Sequence, residues 1–264
     1  MNDYHTHSSF SDDSNTPMED MIRQAASLGI REYAVTDHYD PDYPNRNFPF
    51  EIDFEDYFET LGRLGEKYKS SIRLIKGLEI GIQHGKSLEK CLAAANAGPY
   101  DFLLGSFHCA EGVELHEKRF FRGRTPEESY RAFYGYMLEC LKQYKDYDVL
   151  GHFNVIDRYA DRIVPDDNYW DLVRAIMQLL VDDGKGIEIN TSCFRYNMGG
   201  RTTPTEAMLK LYVDMGGEIV TTGSDAHRPK DVGHMLRRAE EMILRAGLKH
   251  AAVFSGRKVR FVRL

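Results

Sequence analysis

Six short apolar runs punctuate this 264-residue chain, separated by stretches with helical spacing. They cover residues 32–36, 72–80, 101–107, 147–151, 186–190 and 218–222, and the more polar stretch 2–6 reads as a seventh, short strand. Helices are expected over 54–69, near 87–97, from Thr125, near 168–183, from Thr205 and near 231–246. Strands alternating with helices predict a parallel sheet with helices outside. One more helix is expected after Thr16-Pro17-Met18-Glu19, where Thr16 can cap, Pro17 suits the first turn and Glu19 completes a capping box. The same start recurs at Thr125-Pro126 and Thr203-Pro204. Residues 110–124 read as a long loop, and 252–262 as a β-like tail. No linker or composition break divides the chain, so one domain is expected.

Ionisable residues gather where the apolar runs end. His5 and His7, His38, Glu79, His108, His152, Asp225 and His227 all lie at or near C-terminal strand ends. In a (β/α) barrel those ends form one rim, the active-site face. A doubly wound sheet would gather fewer of them at its switch point. His5 and His7 share one face if residues 4–6 are extended, because strand side chains repeat with period two. Imidazole and carboxylate donors suit zinc, iron or manganese better than copper(I) or an iron–sulfur cluster. The set is too large for one ion and sufficient for two or three, with Glu79 able to bridge. Clustered divalent ions acidify a bridging water and clamp a phosphoryl oxygen. His84, His116, His234 and His250 fall in loops or helices and read as structural or solvated. The stripe Tyr130, Phe133, Tyr134, Met137, Leu138 and Leu141 reads as core.

Composition narrows the partners. Lys plus Arg is 34 against 41 for Asp plus Glu, a net charge of -7. That argues against nucleic-acid or anionic-membrane surfaces and leaves room for a local phosphate pocket. Cys91, Cys109, Cys140 and Cys193 form no Cys-x-x-Cys pair, as expected of reduced cytoplasmic thiols. No apolar run approaches membrane-spanning length. A cleaved leader is not expected, since it would remove His5 and His7.

The ordered motifs resemble a known family. Asp3-Tyr4-His5-Thr6-His7, Thr36-Asp37-His38, Gly77-Leu78-Glu79, Gly105-Ser106-Phe107-His108, Gly151-His152 and Gly223-Ser224-Asp225-Ala226-His227 look like those of the PHP (polymerase and histidinol phosphatase) superfamily. Phe10-Ser11-Asp12-Asp13-Ser14, Asp157-Arg158-Tyr159 and Glu188-Ile189-Asn190-Thr191-Ser192 followed by Arg195 are similar to its monofunctional histidinol-phosphate phosphatases. The resemblance implies a distorted (β/α)7 TIM-like barrel and hydrolysis of L-histidinol phosphate by a metal-bridging hydroxide. It implies His5, His7, Glu79 and Asp225 around one metal. Asp13, His38 and His227 would hold a second, and Glu79, His108 and His152 a third. The loop ligand falls at Asp12 or Asp13 by family spacing, and the Phe-Ser-x-Asp-Ser pattern favours Asp13. Asp225, His227 and Glu79 are the expected catalytic groups, with Asp225 or a nearby histidine assisting proton transfer. Arg158 and Arg195 are the candidates for phosphate, which guanidinium binds bidentately. Glu188, Asp40 and the loop 41–50 are candidate acceptors for the substrate's amino and imidazole groups. The rival readings are a phosphoesterase for nucleotides or other small esters, a polymerase-associated module, and a metal-binding protein without turnover.

Overall fold

The computed structural model describes all 264 residues. Eleven strands and eight α-helices follow one another in chain order. They are α1 (Met18–Ser27), β1 (Glu32–Val35), β2 (His38–Tyr39), α2 (Phe54–Tyr68), β3 (Arg73–Gly81), α3 (Ser87–Ala95), β4 (Phe102–Ser106), β5 (Cys109–Ala110), β6 (Val113–Glu114), α4 (Pro126–Gln143), β7 (Val149–Leu150), α5 (Ile156–Tyr159), α6 (Trp170–Asp182), β8 (Gly186–Asn190), α7 (Glu206–Asp214), β9 (Val220–Gly223), α8 (Leu236–Ala246), β10 (His250–Ser255) and β11 (Lys258–Arg263).

The sheet runs β1-β3-β4-β7-β8-β9, with β2 continuing beside β3, and every pairing in it is parallel. The stretch 2–6, expected as a strand, makes only isolated bridges, Asp3 to Tyr33 and Thr6 to Ala226. Those bridges close the ring. On one side the Asp3 N–H donates to the Glu32 carbonyl, and Ala34 N–H to that of Asp3. On the other, Tyr4 N–H donates to Thr222 and Asp225 N–H to His5. The result is the expected distorted, TIM-like barrel, with residues 3–7 as its irregular stave.

Burial follows from strand periodicity. Tyr33, Val35, Leu78, Leu103, Leu150 and Ile187 join the large core beneath the helices. Tyr4, Ala34, Ile75, Phe102, Leu104 and Val149 form a smaller cluster with Ala252, Val253 and Phe254. The β10–β11 hairpin thereby plugs the end of the barrel where strands begin. Arg257 reaches Asp146 and Asp148 ahead of β7, and Arg260 reaches Glu32 at the start of β1. The opposite rim, where strands end, stays free for chemistry. The stripe of α4 is core as expected, with Tyr130, Phe133, Tyr134, Met137 and Leu141 buried.

Three local expectations fail for identifiable reasons. Only Thr125 builds the capping box, accepting from Glu128 N–H while Glu128 reaches back to Thr125 N–H. Thr16 does not cap α1, because the helix starts one residue later with Pro17 at the capping position, and the Thr16 hydroxyl instead donates to the His227 carbonyl at 3.2 Å. Before α7 the cap is Thr205, not Thr203. Residues 110–124 are also no plain loop, since they hold most of the β5–β6 hairpin and a 3-10 turn at Arg119–Phe121.

Candidate metal centre and active site

The strand ends bring nine donor side chains to one rim. His5 Nε2 and His7 Nε2 lie 3.2 and 3.5 Å from Glu79 Oε2, and 3.8 and 3.5 Å from Asp225 Oδ1. Asp13 Oδ2 is 3.1 Å from His227 Nε2 and 3.6 Å from His38 Nε2. His152 Nε2 is 2.9 Å from Glu79 Oε1 and 3.2 Å from His108 Nε2. Donors held about 2.1 Å from a tetrahedral ion lie roughly 3.4 Å from one another. These spacings therefore fit ions of that size. His5 Nε2, His7 Nε2, His227 Nε2 and Glu79 Oε2 are moreover buried without a hydrogen-bond partner. Buried polar atoms are rarely left so, and four converging on one place fit a metal centre. Asp12 is turned elsewhere, accepting from Phe50 N–H at 2.5 Å.

The supporting contacts were missed in the sequence. Glu188 and Asp40, read as acceptors for substrate, stand behind ligand candidates instead. His5 Nδ1–H donates to Glu188 Oε1 at 2.8 Å, and Glu188 Oε2 accepts from His152 N–H. His108 Nδ1–H donates to Asp40 Oδ1 at 2.8 Å. Both carboxylates need a glycine beside them. A Cβ on Gly223 would lie 2.1 Å from Glu188, and one on Gly81 1.8 Å from Asp40. His7 Nδ1 meets the Ser11 hydroxyl, which donates to buried Asp37. Ser106 donates to Glu79 Oε1 at 2.6 Å. The visible signal was the period-two spacing of Glu188 and Asn190 along β8, which turns both inward.

Charge in the cluster is divided. Burial opposes protonation of His5, yet Glu188, Glu79 and Asp225 hold its pKa well above the ordinary imidazole value. Against the same burial, Glu79 and Asp13 raise that of His38. Asp40 and Glu79 likewise overcome burial and push that of His108 up to about 9. Burial, reinforced by His227 and His38, holds His7 well below, so it stays neutral with one ring nitrogen's lone pair free. Asp225 takes a left-handed backbone (φ 54°), held by Arg195 Nη2, which donates to the Ser224 and Asp225 carbonyls at 2.8 and 2.9 Å.

The rim opens into a cavity of about 730 Å³ lined by Asp13, His38, His108, His152, Asp225 and His227, with Arg158 and Arg195. Glu79 does not reach it and is fully buried. Arg158 Nη2 donates to Ser192 Oγ at 2.5 Å and Asp225 Oδ2 at 3.2 Å, and its guanidinium lies 4.2 Å from the Tyr196 ring centre. Arg158 Nε and Arg195 Nη1 have no protein partner. The loop 41–50, read as a source of substrate acceptors, lines the cavity through Tyr43, Asn45, Phe48 and Phe50. His116, read as structural or solvated, lines the cavity too. The four cysteines are buried and unpaired, and no helix is long and apolar enough to cross a membrane.

A metal-dependent hydrolase rim on a distorted barrel is the class these features define. The PHP domain family matches residues 3–192, and the chain belongs to that family. Its relatives are more specific. A "Probable histidinol-phosphatase" of Clostridium acetobutylicum is 31% identical over 94% of each chain. One of Thermotoga maritima is 30% identical over the full length of both. The crystal structure of histidinol phosphate phosphatase from Lactococcus lactis, complexed with zinc, L-histidinol and phosphate, superposes with a TM-score of 0.89. That match has 27% identity and covers 98% of each chain.

Proposed function

We propose that this chain hydrolyses L-histidinol phosphate to L-histidinol and phosphate, the phosphatase step of histidine biosynthesis, as a single-domain cytoplasmic enzyme. The observation that carries the reading is the convergence of nine unshared or cross-paired donors beside two arginines with free nitrogens. Full-length likeness to proteins named histidinol-phosphatase supports the substrate.

His5, His7, Glu79 and Asp225 would hold one ion, Asp13, His38 and His227 a second, and Glu79, His108 and His152 a third. Asp13 Oδ2 lies within 3.6 Å of both His38 and His227, but His38 Nδ1 is also 2.8 Å from Glu79 Oε2, and the compact donor triads are His5-His7-Asp225, His7-His38-His227, His5-Glu79-His152 and His38-Glu79-His108, so this partition follows the family resemblance. Zinc, iron or manganese suits this donor set. Divalent ions bound there would supply an acidified water as nucleophile and offset phosphoryl charge. The other roles belong to the protein. Arg158 and Arg195 present their unpartnered nitrogens to the phosphoryl oxygens. Asp225 and His227 face the cavity and can steer a proton to the leaving alkoxide. Glu79 is closed off, so its part is to hold ions.

The test is phosphate release from L-histidinol phosphate beside AMP and p-nitrophenyl phosphate, with and without chelator. Chelator-sensitive turnover that prefers histidinol phosphate is expected. Metal-dependent turnover of AMP alone would keep the site and discard the substrate. Absence of turnover after restoring zinc, iron or manganese would discard the enzyme reading.

A further inference from the structure

We propose that Glu114 is the subsite for the cationic, nitrogen-bearing end of the substrate, an inference that rests on the phosphatase reading above. Glu114 ends the hairpin that follows His108 and pairs with Cys109. The N–H of the next residue, Leu115, donates to the His108 carbonyl at 3.1 Å, tying this segment to the metal rim. The side chain is only 2% exposed, yet it lines the cavity. Neither carboxylate oxygen has a hydrogen-bond partner. The one cationic nitrogen within 4 Å is Arg119 Nε, 3.4 Å from Oε1 and outside hydrogen-bond geometry. Arg119 is also committed to Glu117, to which its Nη2 donates at 2.5 Å.

A desolvated carboxylate with no donor is costly to the fold. A protein retains such a group where a ligand completes it, and the cavity is where that ligand lies. Side chains of both signs line the cavity, Arg228 and Lys230 among them. Arg158 and Arg195 suit the phosphate, while Glu114 and Glu117 enter from a separate loop. Histidinol phosphate offers the donors such a carboxylate needs, an imidazole at the end away from the phosphate and an ammonium on the carbon between them. A site built to receive a donor rejects esters that lack it, because the buried acceptor is then left unpaired.

The experiment compares the zinc-loaded wild type with Glu114→Gln. The ratio of kcat/KM for L-histidinol phosphate to that for p-nitrophenyl phosphate is expected to fall at least about tenfold, the loss of one charge-assisted hydrogen bond. Calorimetric binding of L-histidinol in the presence of phosphate should weaken by a similar factor. The variant's melting temperature should equal or exceed the wild type's, since an unpaired buried charge has been removed. A selectivity ratio and L-histidinol affinity that survive the substitution would overturn the assignment. So would a lowered melting temperature with equal loss on both esters, which marks a structural role. A wild type without preference for histidinol phosphate would instead overturn the phosphatase reading, and with it Glu114's part.

Discussion

At the scale of single residues, the ligand candidates were legible and their supports were not. His38, His108 and His152 each follow the end of an apolar run, and His5 and His7 alternate on one short stretch, positions that sequence displays directly. Glu188 and Asp40 depend on which side chain turns inward behind a histidine, which tertiary packing decides. Their contacts lead to a prediction. Glu188→Gln removes the charged acceptor of His5 Nδ1–H, and loss of such an outer partner weakens metal binding about 10- to 100-fold. Chelator competition would measure it, and an unchanged zinc affinity would show that Glu188 does not orient His5. Acidity adds a sign. The raised pKa values of His5 and His38 mean that each must release a proton before an ion can bind. Metal affinity should therefore climb with pH. In the metal-free protein the sign reverses, because protonated His5 and His38 stabilise the fold below the ordinary imidazole pKa. That contribution is lost as pH rises through their raised values. Melting curves with and without zinc at pH 6 and pH 9 would separate the two trends. Arg195→Ala should raise the inhibition constant for phosphate about tenfold or more. Unchanged inhibition would remove Arg195 from the site.

Among secondary-structure elements, identical letters met different fates. Three Thr-Pro starts were visible in the sequence, and one became a capping box. The strands were placed to within a few residues, because apolar runs between helices leave little choice. The first start is displaced by one residue, with Pro17 at the capping position, while the Thr16 hydroxyl donates to the His227 carbonyl, a contact spanning most of the chain and invisible to local pattern. Two substitutions separate helix chemistry from site chemistry. Thr125→Ala should cost about 1 kcal/mol and lower the melting temperature by roughly 2–4 °C, with turnover intact. Gly223→Ala acts on a strand end, where a Cβ would lie 2.1 Å from Glu188 and 2.4 Å from the His5 Cβ. It should abolish zinc binding as well as lower stability. Full zinc binding in Gly223→Ala would contradict the close approach described for β9.

For the molecule as a whole, a barrel was legible from the alternation of runs, whereas its closure was not. Residues 3–7 read as an ordinary strand and proved to be an irregular stave joining β1 to β9. Ions bridging ligands from six staves should stiffen the ring. Zinc at a hundredfold excess over its dissociation constant would add about 2.7 kcal/mol per site, read as a rise in melting temperature that chelator reverses. The same closure has a consequence for synthesis. His5 leaves the ribosome among the first residues, while Asp225, its co-donor for the first ion, and His227 follow more than two hundred residues later. A nascent chain stalled before β9 lacks the seam, one of the four donors proposed for the first ion and one of the three proposed for the second. Completion of the first two proposed ion sites would thus wait until translation has run past the last stave, whereas the donors of the third are all made by residue 152.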